Sequence, residues 1–282
     1  MPLIHIRRFQ AHGTSLALLI AAFVASSCAP EAPTFSQSTA PDFNLADYEI
    51  VDLSHSYGSD TVYWPTDKKG FQKQVVFEGV RDDGGFYAAF DIATAEHGGT
   101  HLDAPYHFHA DGDKTDAVPL SRLIAPAVVI DVSAKAAADP LYRLSVEDVT
   151  AFETAHGVIA PGTIVLLRTG WSARWPDAQR YLGGADPSAL AFPSFGAEAA
   201  KLLVEARKAA ALGLDTASTD YGPSTNFPVH RIMGAANVPG FENLTRLDEL
   251  PPTGVVVFAL PMKIEGGSGG PLRAIALVPK AR

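Results

Sequence analysis

Glu96-His97-Gly98-Gly99-Thr100-His101-Leu102-Asp103-Ala104-Pro105-Tyr106-His107-Phe108 places three imidazoles and a carboxylate at odd-numbered positions. In an extended chain alternate side chains share a face, so His97, His101, Asp103 and His107 would fall together as a first coordination shell. A helix is the competing geometry, because His97 and His101 are also one helical turn apart, as in helix-borne zinc sites. Gly98-Gly99 and Pro105 oppose it, since glycine costs a helix interior about 1 kcal/mol and proline about 3 kcal/mol. The spacing therefore predicts a strand end and the loop after it. Neutral imidazole and carboxylate suit Zn, Mn or Fe(II), whereas Cu(I) and iron–sulfur clusters want several thiolates; the chain has one cysteine. A single histidine is more often a half-buried structural residue than a ligand, but this density of ligand-type groups points to metal chemistry. His109 is read apart from them, as a solvated loop residue, because Ala110-Asp111-Gly112-Asp113 follow it.

The 282 residues, 47% of them hydrophobic, suffice for one large domain or two small ones with a sizeable core. Net charge is −9 and the basic residues are scattered, which excludes nucleic acid as an expected partner. Arg7 and Arg8 precede the apolar run Leu16-Ala17-Leu18-Leu19-Ile20-Ala21-Ala22-Phe23-Val24-Ala25, too short to span a bilayer comfortably. Residues 1–28 are thus expected to be an export signal. Ala25-Ser26-Ser27-Cys28 resembles a bacterial lipoprotein processing site with lipidation on Cys28, and ordinary secretion after nearby cleavage is the alternative. The expected location is the periplasm or, through that anchor, its membrane. With one cysteine, a disulfide framework is excluded.

Residues 29–46 read as a flexible tether, with Pro, Ser and Thr but no apolar period, and residues 47–282 as a single domain. Strands are expected near 50–53, 73–77, 86–93, 127–132, 164–168, 212–215, 254–260 and 272–278, from β-branched and apolar runs bounded by Gly or Pro. Ser145-Val146-Glu147-Asp148 opens a helix through a capping box and runs to His156-Gly157; Ser194 is expected to open a second through Ala206. A third is expected over Val229 to Ala235. No dinucleotide fingerprint stands at a strand-to-helix junction. Glu265-Gly266-Gly267-Ser268-Gly269-Gly270 lacks a phosphate-loop lysine; it is read as a turn near the site, with a plain structural connection the alternative.

The run His97-Gly98-Gly99-Thr100-His101-Leu102-Asp103-Ala104-Pro105-Tyr106-His107-Phe108 resembles the HxGTHxDxPxHF signature of the cyclase-like amidohydrolases, which include bacterial kynurenine formamidases and isatin hydrolases. The likeness extends over most of Tyr48 to Lys280. It implies an α/β fold of the swivelling β/β/α kind, a mixed sheet or flattened barrel with peripheral helices, in homodimers or homotetramers whose neighbouring chains wall the pocket. It implies that His97, His101 and Asp103 bind metal, that His107 is the proton-transferring base, and that His230 and Glu242 complete a second metal position with Asp103 bridging. Formamidase-like members hold two metals; isatin-hydrolase-like members hold one, commonly Mn, and lack the glutamate. Glu242 leans this chain toward the binuclear form, with Zn or Mn as the cofactor. Read by themselves, Glu242 could as well cap a helix or meet a surface Arg, and His230 could be a helix-start residue. Tyr63-Trp64-Pro65 stands where the family places a substrate-contacting loop; its usual Pro-Gly-Asp ending is Pro65-Thr66-Asp67 here. Trp64, Phe86 and Trp171 are candidate walls for a flat ring, although exposed or core positions would explain each.

The activity so implied is hydrolysis of a small aryl formamide, cyclic amide or related acyl compound by hydroxide generated at the metal, with His107 as general base. The same site acting only as a Lewis acid would make a cyclase or dehydratase, and one without turnover a metal-dependent small-molecule binding protein. Export disfavours formylkynurenine, which arises inside cells, and favours a foreign or scavenged substrate.

Overall fold

A computed structural model describes residues 43–280 apart from residue 185. The expected export signal with Cys28, and residues 29–42 of the expected tether, lie outside the described residues. The last tether positions are structured: Asn44 caps a single 3-10 turn, Leu45–Asp47, by accepting from the Ala46 N–H. Lys280 Nζ donates to the Ala46 carbonyl, so ordered chain begins slightly before the expected boundary.

The described strands are β1 (Tyr48–Asp52), β2 (Gln72–Val80), β3 (Phe86–Ala93), β4 (His101–Asp103), β5 (Ile124–Asp131), β6 (Arg143–Leu144), β7 (Ile164–Arg168), β8 (Ser194–Phe195), β9 (Ala211–Leu214), β10 (Gly240–Glu242), β11 (Val255–Pro261) and β12 (Gly269–Pro279). Seven of them close a mixed barrel in the order β12-β11-β5-β7-β9-β10-β4, and β4 returns to β12. Closure depends on the length of β12. Its first residues pair with β4, Gly269 opposite Asp103, while Leu272 to Leu277 pair with β11. Strand β1 lies antiparallel along the C-terminal part of β12.

Strands β5, β7, β9 and β10 run parallel, and parallel strands are buried on both faces, which is why they read as continuous apolar runs. Alternation divides their side chains. Val129, Ile164, Leu166 and Phe241 pack with Val51, Leu102, Ala274 and Ala276 in one core. Ile130, Val165, Leu167, Leu212 and Leu214 pack on the other face against Val149 and Phe152 of helix Val146–His156, Leu203, and Met233 of helix Pro228–Ala235. Each such aliphatic side chain contributes roughly 1.5–3 kcal/mol when fully buried.

Helix Val146–His156 starts as the sequence predicts. Ser145 Oγ accepts from the Asp148 N–H, and the Asp148 carboxylate accepts from the Ser145 N–H. Ser194 does not open a helix. It sits in β8, buried and paired with Arg143 of β6, and the following helix begins at Ala197 and relaxes into a wider π-helical turn at Leu202–Ala206. A two-residue strand has no periodicity of its own, so the serine looked like a cap. Strands β2 and β3 form a separate antiparallel hairpin that leaves Val75, Val76, Val80, Phe86 and Ile92 exposed. Among the described residues no helix is long and apolar enough to cross a membrane.

Candidate metal centre and substrate pocket

The site forms where β4 meets β10. His101 and Asp103 share a face of β4 while Leu102 turns into the core, and Glu242 stands directly across from His101 in the antiparallel register. His230 reaches the same place from the first turn of helix Pro228–Ala235. The four-residue alternation expected along one extended segment is not what joins them. Only His101 and Asp103 are in the strand; His97 precedes a turn in which Gly99 has φ +59°, a left-handed conformation that favours glycine, and His107 ends the 3-10 turn Pro105–His107. The imidazoles converge by turns on either side of a very short strand.

Asp103 lies at the centre. Its Oδ1 is 2.6 Å from His97 Nδ1 and 3.2 Å from His101 Nε2, and its Oδ2 is 3.1 Å from His230 Nε2. Glu242 closes the other side, with Oε2 3.5 Å from His101 Nε2 and Oε1 3.4 Å from His230 Nε2. The far nitrogens are anchored: Gly99 O lies 3.0 Å from His101 Nδ1, and Asp220 Oδ2 lies 2.7 Å from His230 Nδ1. Their Nε2 atoms therefore face the carboxylates. The His107 ring stacks on His97 at 3.8 Å between centroids.

One atom tests whether these groups fit a cation. His101 Nε2 is buried and, although close to both carboxylates, makes no hydrogen bond to any described residue. A nitrogen lone pair aimed between two carboxylates is a ligand's position, and both His101–Asp103–Glu242 and His97–Asp103–His107 offer atoms close enough to share an ion. The residues fit a divalent metal. Burial works to raise the Asp103 carboxyl, but His97, His101 and His230 outweigh it and hold it well below the usual carboxylate range. Glu242 is pushed up by burial and by the Asp103 charge. Burial opposes charge on His101 as well, yet Asp103 and Glu242 push it up to about 9, and His230 is raised too, by Asp103, Asp220 and Glu242. The floor thus favours positive charge, which a metal supplies in place of protons. Burial pulls His107 down to about 4, so it is neutral at pH 7 and able to accept a proton.

Above this floor opens a cavity of about 330 Å³, walled by Tyr63, Trp64, Phe108 and Phe227. Trp64 is on the pocket wall. Trp171 is not. It is 2% exposed, packs with Val62, Tyr181 and Phe192, and donates its indole N–H to the Tyr181 carbonyl at 2.6 Å. Phe86 is 71% exposed at the start of β3 and lies outside the pocket of its own chain, because the hairpin carries it away. Phe108, Phe227 and Asp220 were missed. Asp220 accepts from the Val229 and His230 N–H groups as well as facing the His230 ring, which makes it both the cap of that helix and the orienter of the imidazole. A carboxylate shortly before Phe227-Pro228, a helix opening, was the available signal.

The family model Cyclase matches residues 51–221. The isatin hydrolase of Roseibium aggregatum is 36% identical over 247 residues, covering 83% of this chain and 93% of the relative. The kynurenine formamidase of Salinibacter ruber is 30% identical over 232 residues, covering 80% and 96%. A crystal structure of an isatin hydrolase bound to the product analogue thioisatinate matches with a TM-score of 0.78 at 34% identity, covering 83% of this chain and 94% of that one. Barrel and ligand cluster together define a cyclase-fold protein with a metal-type site. The chain belongs to the Cyclase family, the group to which its histidine motif pointed.

Proposed function

We propose that the chain is a divalent-metal-dependent amidohydrolase that cleaves the C–N bond of a small aryl substrate, a cyclic amide of the isatin kind ahead of an aryl formamide. The observation that carries this reading is the unbonded Nε2 of His101, buried between Asp103 and Glu242 beneath an aromatic-walled cavity. Similarity to the isatin hydrolase of Roseibium aggregatum, at 36% identity against 30% for the formamidase, supports the order of substrates.

His97, His101 and Asp103 would hold one ion, and His230 and Glu242, with Asp103 bridging, a second; Zn and Mn both suit these ligands. When bound, the metal supplies Lewis acidity, which polarises a carbonyl and makes water acidic near neutral pH. Tyr63, Trp64, Phe108 and Phe227 hold the aryl ring and exclude bulk water. His107 takes a proton from the attacking water as the C–O bond forms, then delivers it to the leaving nitrogen as the C–N bond breaks, giving a carboxylate and an amine.

The test offers isatin and an aryl formamide to zinc- or manganese-loaded protein in water labelled with heavy oxygen. One labelled oxygen in the acid product supports hydrolysis. A product without solvent oxygen would mean a cyclase or dehydratase, and binding without turnover a silent binding protein.

The exposed apolar side chains of the β2–β3 hairpin support a homodimer or homotetramer, checked by light scattering. Export with lipid attachment at Cys28 is proposed from the leader sequence alone; fatty-acid labelling of the wild type but not of Cys28→Ala would support it.

A further inference from the structure

The glycine-rich loop between β11 and β12 does more than connect them. His97 turns Nδ1 toward Asp103, and its other nitrogen, Nε2, lies 2.9 Å from Ser268 Oγ. Ser268 Oγ donates to Glu96 Oε2 at 2.6 Å, and the Ser268 N–H donates to the same oxygen at 3.0 Å. A hydroxyl has one proton. With that proton committed to Glu96, the serine oxygen can only accept from His97, so Nε2 carries a proton, and a cation that takes the place of the proton between Nδ1 and Asp103 would meet the Nδ1 lone pair.

The loop is built to hold this contact. Ser268 O accepts from the Ala104 N–H at 2.9 Å, just after Asp103 in the chain, and Gly267 O accepts from the Thr115 N–H at 3.0 Å. Thr115 Oγ1 donates to Gly269 O at 3.0 Å. A Cβ at Gly269 would stand 2.5 Å from His97 Cε1 and 2.5 Å from the Leu102 carbonyl, so a side chain there would push the loop off the imidazole.

We propose that Glu96 and Ser268 are positioning residues for His97, a relay that fixes the tautomer in which Nδ1 is the atom offered to a divalent cation. The relay rests on the reading of His97 as a metal ligand. It also sets the plane of the ring against which His107 stacks. Partners of this kind change metal affinity without touching the metal.

The experiment measures zinc affinity by competition with a chelator, and the melting midpoint of metal-free protein, for the wild type, Ser268→Ala, Ser268→Thr and Glu96→Leu. Ser268→Ala is expected to weaken zinc binding by about 10–100-fold while leaving the metal-free midpoint unchanged, and Ser268→Thr, which keeps the hydroxyl, to restore it. Glu96→Leu frees the serine proton to meet Nε2 and should weaken binding too. Should Ser268→Ala lower the metal-free midpoint, the Ser268→Thr and Glu96→Leu affinities decide. Wild-type affinity in Ser268→Ala or Glu96→Leu overturns the relay and leaves the hydrolase reading standing, whereas a wild type that binds no zinc or manganese overturns both.

Discussion

Glu242 and His101 face each other across the β10–β4 pairing, and the Glu242 carboxylate spans from His101 Nε2 to His230 Nε2, at 3.5 and 3.4 Å. Glu242 thus joins the His101 and His230 imidazoles on the side away from Asp103. Its Oε1 is fixed from behind by the Thr219 N–H at 2.7 Å. Glu242→Gln keeps the shape and removes the charge. Elemental analysis of the loaded protein is expected to show one metal fewer per chain than the wild type; an unchanged ratio would remove Glu242 from the ligand set.

His107 has an atom close enough to share an ion with His97 and Asp103, but Asp103 also meets His101 and His230 at the floor, and the neutral His107 ring stacks over His97 at the cavity. His107→Ala is therefore expected to retain metal while turnover drops by about 10²–10⁴, the usual worth of a general base. Paired elemental analysis and steady-state rates check this, and a metallated variant with wild-type turnover would exclude His107 as the base.

Asp220 joins helix and ligand in one residue. Asp220→Asn loses the charge that faces His230 and keeps one of the two oxygens that accept from the helix N–H groups, and Asp220→Ala loses both oxygens. Both variants should weaken metal binding by about 10–100-fold, and Asp220→Ala should be less stable than Asp220→Asn by about 1 kcal/mol from the further lost acceptor. Chelator competition and urea unfolding separate the two effects. Equal stability losses in the two variants would show that charge, not capping, is what the helix needs.

The barrel was legible where burial on both faces left continuous apolar runs, as in Ile164-Val165-Leu166-Leu167 of β7. The capping box at Ser145 was legible because its whole mechanism is local. By contrast β10 has three residues and β8 two, and their strand character exists only through partners far along the chain. The site shows the same division. The motif from His97 to His107 declared its chemistry by density, but Ser268 meets His97 across 171 positions and Asp220 acts through a helix that had first to be placed. Trp171 and Phe86 were equally plausible walls as aromatic residues; the Tyr181 carbonyl draws one into the core and the hairpin carries the other away.

His55 gives the fold a dependence on pH that is separate from the metal cluster. Its ring stacks on Trp175 at 4.1 Å, its Nε2 is buried without a hydrogen-bond partner among the described residues, and burial pulls its pKa from 6.5 down to about 4. An unfolded chain takes up a proton at this residue as pH falls through 6.5, whereas the folded chain resists until about 4. Stability from the neutral, stacked imidazole is thus complete above pH 6.5 and drains away as pH falls toward 4, amounting to about 2 kcal/mol by pH 5 at about 1.4 kcal/mol per pH unit. His55→Phe keeps an aromatic ring on Trp175 and removes the proton site. In urea unfolding of metal-free protein, the stability of His55→Phe relative to the wild type is expected to rise by that amount between pH 7.5 and pH 5. The comparison cancels the titration of His101, Asp103, His230 and Glu242, which both proteins share, so a difference that stays constant with pH would show that His55 does not titrate in the folded chain as its burial requires.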